Sequence, residues 1–338
     1  MRVRRKALAL IALVALMAVA AAALWLKDFS SQPLALPRTP YEFAVKPGTS
    51  LRALARQLAG DGLLADPQAF WVLGRILDQD KAIQAGIYRL EGPLTPRQLL
   101  DKLSRGEVFL VDITFIEGTT LRQWLAQLKG HARVRPTLGA KPADELRASL
   151  GIAESSPEGW LFPDTYRFAP GTSDVEILRR AHAAMKRRLA EAWAQRSADL
   201  PLATPYEALV LASIVEKETG AAAERDLVAS ALANRLRRGM RLQADPTVIY
   251  GMGESFDGNI RKKDLSADTP WNTYTRDGLP PTPIAMPGGA SLKAATRPAE
   301  TQYLYFVGKG DGTHHFSRTL EEHNRAVAKY QLGKMTVR

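Results

Sequence analysis

The 338-residue chain has no cysteine. Disulfides, thiol nucleophiles and lipid attachment through an N-terminal cysteine are therefore excluded. Histidine is scarce: His131, His182, His314, His315 and His323 are all there is. None stands in an HExxH pattern and no thiolate accompanies them, so no metal site and no other cofactor are expected. His314, His315 and His323 read as solvated loop side chains. The chain also lacks a GxSxG elbow and a phosphate-cradling glycine loop, which argues against a serine hydrolase or a nucleotide enzyme. Basic residues give a net charge of +11, but no basic stripe is interleaved with aromatics, so no nucleic-acid partner is expected.

Long apolar runs are missing too, with one exception at the start. Arg2, Arg4, Arg5 and Lys6 precede an uncharged stretch from Ala7 to Leu26. Twenty residues of helix cover about 30 Å, the thickness of a bilayer core. The basic flank (1–6) is expected to stay in the cytoplasm, with residues 7–26 as an anchor in the inner membrane and everything beyond Lys27 outside. Ala18-Val19-Ala20 also fits the cleavage site of a signal peptide, but the run is longer than such a core. Either reading exports the remaining residues.

The exported part divides into a linker, a small module and a larger domain. Residues 27–40 hold Pro33, Pro37 and Pro40 and read as an extended linker. Tyr41 to Val45 alternates like a strand, and Pro47-Gly48-Thr49-Ser50 turns into a helix with Leu51, Leu54, Ala55 and Leu58 on one face. Asp66-Pro67 and Thr95-Pro96 open further helices, with a strand at Gly86–Leu90 between them. The segment VKPGTSLRALARQL (45–58) resembles a LysM-like module, a peptidoglycan-binding fold, placed at 41–110. Residues 111–154 form a connecting region in which Val108 to Phe115 reads as a strand and Leu121 to Leu128 as a helix. From 155 to 338 the pattern is mainly helical with strands added late: Asp174 caps a helix to about Arg196, Glu207 to Thr219 is a second, and Arg225 to Arg238 a third. Arg241 to Gly251 reads as strand, turn and apolar segment, and Tyr303 to Val307 as a buried strand. The fold class is α+β.

The chemistry concentrates at Ile214-Val215-Glu216-Lys217-Glu218-Thr219. Ala208 to Val215 is apolar on every side, so its helix is buried. Carboxylates are seldom placed at the end of such a helix, because burial disfavours the charged form and raises the pKa. If Thr219-Gly220 ends the helix, the negative end of its dipole acts in the same direction. A carboxyl that keeps its proton near neutral pH is what a general acid needs. Glu216 and Glu218 lie about 200° apart on the helix, so only one can face a given cleft. The other meets solvent or a base such as Arg225, and spacing alone leaves the choice open.

Four stretches in this order, ASIVEKETG (212–220), RLQADPTVIYGMG (241–253), WNTYTRDGLPPTPIAMPG (271–288) and YLYFVGKGDGTHHFS (303–317), resemble the YceG/MltG family of endolytic murein transglycosylases. The resemblance implies a membrane anchor, a LysM-like subdomain and a lysozyme-like catalytic domain that cleaves glycan strands of nascent peptidoglycan. It also assigns catalysis to the acid followed by Thr or Ser, which is Glu218. Met286 departs from the pattern, since related sequences often carry Asn or another small polar residue there. Glycoside hydrolysis conventionally takes two carboxyl groups; only Asp245 offers itself as a second. A lytic transglycosylase needs one, because the sugar's own C6 hydroxyl replaces water. Gln243, Tyr250, Asn272 and Tyr274 are the candidate sugar-binding groups. Glycan strands and the membrane are the expected partners, with peptidoglycan synthases as possible further ones. The alternative is a non-catalytic wall-binding scaffold that recruits those synthases.

Overall fold

The computed structural model describes residues 2–139 and 143–332. The first residue of the basic flank, three residues of the connecting region and the last six of the C-terminal domain lie outside the described residues. The chain forms two compact units, Met1–Val111 and Asp112–Arg338.

The first unit begins with α1 (Arg2–Ser31), a helix long and apolar enough to cross a membrane. Leu10, Ile11, Leu16, Val19 and Leu24 are exposed along it, an apolar surface that water does not stabilise. The helix runs past the expected span and takes in residues 27–31. The stretch after it does not run free either: Leu34 is buried and its N–H bonds the Leu94 carbonyl at 2.9 Å. Leu26, Phe29 and Leu36 pack on the same core. Burial of these side chains outweighs the extended bias of the prolines, so the linker is largely part of the first unit.

Four elements follow in the order β1 (Tyr41–Val45), α2 (Leu51–Gly60), α3 (Pro67–Ile76), β2 (Gly86–Leu90), and α4 (Pro96–Arg105) closes the unit. β1 and β2 pair antiparallel from Tyr41↔Leu90 to Val45↔Gly86. Alternation places Phe43 and Tyr88 inward, stacked at 5.6 Å. The helices start where the caps stand. Ser50 accepts from the Ala53 N–H, Asp66 from Gln68 and Ala69, and Thr95 forms a capping box with Gln98. Gly106 ends α4 in the left-handed conformation at φ 66°.

The second unit begins within β3 (Val111–Thr114) and contains α5 (Leu121–Gly130), α6 (Ala143–Leu150), β4 (Thr165–Phe168), α7 (Asp174–Ala194), α8 (Pro205–Glu218), α9 (Arg225–Arg237), α10 (Asp245–Met252), α11 (Lys262–Ser266), α12 (Gly289–Thr296), β5 (Tyr305–Gly308), β6 (His314–Ser317) and α13 (Leu320–Val327). β3 pairs with β4 and β5 with β6, so strands stay in small two-stranded sheets among helices. The α8 helix is central, packed by α7, α9, α10 and α12. Every residue from Ala208 to Val215 is buried. Inside it, Ser213 Oγ donates to the Val210 carbonyl at 2.7 Å and accepts the Ile284 N–H at 3.0 Å, pinning the proline-rich loop to the helix.

Three local expectations change. The strand expected from Val108 is shorter and begins at Val111. Ser173, not Asp174, caps α7; the Asp174 carboxylate turns aside to accept from Thr137 and Leu138, and these bonds outweigh burial and hold its pKa below the usual range. The stretch expected to be strand and turn at 241–251 is largely helix α10. Pro246 sits in its first turn, where a missing N–H costs nothing, and Gln243 before it takes a positive φ of 51° that breaks any strand.

Candidate active site

The last turn of α8 sends three side chains in three directions. Glu216 reaches the loop after Met286, where its Oε2 accepts the Gly288 N–H at 3.0 Å. Its hydrogen-bond partner is therefore a backbone amide and not Arg225. Lys217 Nζ donates to the Gly118 carbonyl at 3.2 Å. Gly118 and Thr119 in turn exchange backbone bonds with Met286, at 2.9 and 2.8 Å. The Met286 side chain is fully buried, so this position acts through its main chain and its apolar bulk.

Glu218 opens into a cleft of about 430 Å³ that Arg235, Gln243, Asp245, Tyr274 and His314 also line. Protein surrounds its carboxyl, yet among the described residues no group donates a hydrogen bond to it. Burial pushes its pKa up to about 8, the Asp245 charge adds to the rise, and Arg235 opposes it. The group therefore holds its proton at neutral pH and can lose it within the range an enzyme uses.

Asp245 and Tyr274 meet across the cleft wall, with the Tyr274 hydroxyl donating to Oδ1 at 2.6 Å. Burial and then this bond raise the phenol's pKa, so it stays a donor. Gln243 accepts from Arg235 Nη1 at 3.1 Å through its amide oxygen. Arg235 itself is a buried cation. It donates to the carbonyls of Leu304, Arg241 and Leu242 at 2.7, 3.1 and 2.8 Å and lies over the Tyr305 ring. Burial lowers its pKa while the neighbouring Tyr305, Tyr274 and Glu218 oppose the fall. It clamps the segment before α10 against β5 and supplies positive potential beneath the acid.

The structure thus brings Glu218, Gln243 and Tyr274 together. Asn272 stands apart from the cleft: it is fully buried, its amide nitrogen donates to the Leu265 and Ala267 carbonyls at 3.0 and 2.7 Å, and its oxygen accepts the Tyr274 N–H at 2.8 Å. Both ends of the amide are spent shaping the loop that presents Tyr274. Tyr250 does not line the cleft. Its hydroxyl donates to Glu158 Oε2 at 3.2 Å, and its ring meets Trp271 edge-on at 5.4 Å.

Arg235 and Glu158 escaped the sequence reading, and His314 and His323 were misplaced by it. Arg235 continues the buried face of α9 after Val228 and Leu232, and a charge at that spacing was the available signal. His314 is not a solvated loop residue: it lies in β6, half-buried, with Glu224 as partner. His323 lies in α13, its ring stacked on Tyr305. Glu158 is 4% exposed and accepts the Leu121 N–H at the start of α5 at 3.0 Å. No local pattern marked it.

Comparison with known proteins gives a consistent picture. A model of the YceG-like family matches residues 43–329. An endolytic murein transglycosylase of Bacillus subtilis is 30% identical over 314 residues, covering 88% of this chain and 86% of that protein. One from Streptococcus pneumoniae is 30% identical over 287 residues, 75% of this chain; the chain spans about half of that longer relative, 52%. The crystal structure of a YceG-like protein from Listeria monocytogenes superposes with a TM-score of 0.55 at 28% identity, covering 85% of this chain and 98% of the other.

Proposed function

Since the chain belongs to the YceG-like family, we propose that it is a membrane-anchored endolytic lytic transglycosylase that cuts the MurNAc–GlcNAc bond of nascent peptidoglycan strands. The observation that carries the reading is Glu218: an acid with a pKa of about 8, open to a cleft and free of any donor among the described residues.

The reaction needs only that one carboxyl. Glu218 donates its proton to the glycosidic oxygen, the bond to C1 of the muramic sugar breaks, and the GlcNAc end leaves with a free hydroxyl. Positive charge develops on the muramic ring. The C6 hydroxyl of the same sugar then attacks C1 while the Glu218 carboxylate takes its proton. A 1,6-anhydro ring closes, the acid is regenerated, and no water enters. Burial serves both halves, because a carboxyl with a raised pKa is a strong enough base for the return step. The Tyr274 hydroxyl and Gln243 supply polar contacts for the sugar.

A second reading has one observation in its favour. Asp245 lines the same cleft, and a two-carboxylate hydrolase would use it to activate water. Mass spectrometry of purified glycan strands after digestion separates the two. Transglycosylation leaves anhydro ends with no mass added; hydrolysis adds one water per cut. Hydrated ends alone would overturn the proposal. A non-catalytic scaffold recruiting wall synthases would leave the strands uncut.

We place α1 in the inner membrane with its basic N-terminus in the cytoplasm and the rest of the chain in the periplasm. The β1-α2-α3-β2 order of the first unit supports a LysM-like module there. The anchor then keeps the active site near strands emerging at the membrane face and raises its effective concentration for them.

A further inference from the structure

The cleft is lined by a histidine, His314, that the acid–base scheme leaves unused. Six residues after Glu218, a single turn of 3₁₀ helix at Ala222–Glu224 carries Glu224. Its carboxylate grips His314 twice. The backbone N–H of His314 donates to both oxygens, at 3.0 and 3.1 Å, and the ring Nδ1 lies 2.8 Å from Oε2. Partial burial favours the protonated acid, but these hydrogen bonds from His314 outweigh it and hold the Glu224 pKa below the usual range. An ionised carboxylate only accepts, so Nδ1 carries the proton. The two side chains are 17% and 14% exposed, and Phe306 stands edge-on to the imidazole at 5.7 Å. The ring is held from two sides.

With Nδ1 committed, one ring atom is left. Among the described residues nothing bonds Nε2, and His314 lines the same cleft as Glu218. In a neutral ring protonated at Nδ1, Nε2 is an acceptor. The protonated Glu218 is a donor. The cleft therefore offers a saccharide both halves of what its hydroxyls need.

We propose that His314 Nε2 accepts a hydroxyl of the sugar bound across Glu218, and that Glu224 is the positioning residue that holds the ring for it. The inference rests on the reading of the cleft as a glycan site. His314 moves no proton in the reaction: Glu218 alone gives and receives the transferred one. The role of His314 is to bind and align, so its loss falls mainly on KM. A histidine serving the fold alone would lower the melting point instead and leave KM where it was.

The test uses the full chain in detergent micelles and purified uncrosslinked glycan strands. His314→Ala raises KM about tenfold, the effect of one lost hydrogen bond, over and above whatever the loss of the Glu224 bond does to melting. His314→Gln, whose amide oxygen accepts, recovers part of the loss. Glu224→Gln falls between the two. In a second arm, the ¹⁵N resonance of His314 Nε2 is followed in the Glu218→Gln chain, and it moves when glycan is added. Wild-type KM in His314→Ala would overturn the proposal, as would an Nε2 resonance that stays still while glycan binds. If the wild-type chain leaves strands uncut but the resonance still moves, the enzyme reading fails and the binding role of His314 stands.

Discussion

Two carboxyls of the second unit have strongly raised pKa values, and they are built for different ends. Glu218 sits at about 8 and Glu158 at about 7, and burial is the leading cause in both. Glu158 is closed in: the Leu121 N–H and the Tyr250 hydroxyl donate to it, and these bonds pull its pKa back down part of the way. Glu218 has no donor among the described residues and opens to a cleft beside a second acid, whose charge pushes it further up. A shifted pKa alone therefore does not identify a catalytic acid. Access does. Glu158 ties the start of α5 to α10, the helix whose first residue is Asp245.

The largest effect that sharpens this contrast is on rate. Glu218→Gln lowers cleavage of purified glycan by about 10³-fold, the scale of a lost general acid, while Glu158→Gln stays within about tenfold of wild type, the scale of one altered hydrogen bond. An equal loss in a folded Glu158→Gln protein would erase the distinction.

Stability against pH comes next. A carboxyl whose folded pKa is raised stabilises fully below its unfolded value and loses that contribution as pH rises through the folded one. For Glu158, raised from 4.5 to about 7, the loss on going from pH 4 to pH 8 is about 3 kcal/mol. Denaturant unfolding at the two pH values should show Glu158→Gln with a flatter profile than wild type. Parallel profiles would mean that Glu158 ionises freely.

A smaller change is expected in the pH–rate profile. The acid form of Glu218 is the active one, so cleavage declines as pH rises through about 8. Asp245→Asn removes a charge that raises that pKa, and the alkaline limb should move to lower pH. A limb that does not move would remove Asp245 from the electrostatics of the acid. The smallest effect belongs to Glu216→Gln. An amide oxygen can still accept the Gly288 N–H, and activity should remain within about twofold of wild type, the scale of an ordinary surface substitution.

How much of this was legible in the sequence follows the range of the interactions involved. The α8 helix was readable because eight consecutive apolar residues leave no polar face, and the caps at Ser50, Asp66 and Thr95 were readable because each acts within three residues. Helix α10 was not, since it is one short stretch whose start depends on Thr273 bonding the Ala244 N–H 29 positions away. Glu158 looked like any acid in a loop; its burial comes from partners 37 and 92 positions distant. The Glu224–His314 pair joins residues 90 apart, and nothing near either one announces the other. Asn272 was readable as a polar residue in a functional loop, but only the fold shows that its amide is spent on that loop's own backbone.

The most direct test of the account is a carboxyl ¹³C titration of glutamate-labelled full-length protein in micelles, with signals assigned through Glu218→Gln and Glu158→Gln. The account predicts one glutamate titrating near 8 and another near 7, with added glycan strands shifting the first and leaving the second unmoved. A Glu218 that titrates near 4.5, or a glycan response at Glu158 and none at Glu218, would contradict it.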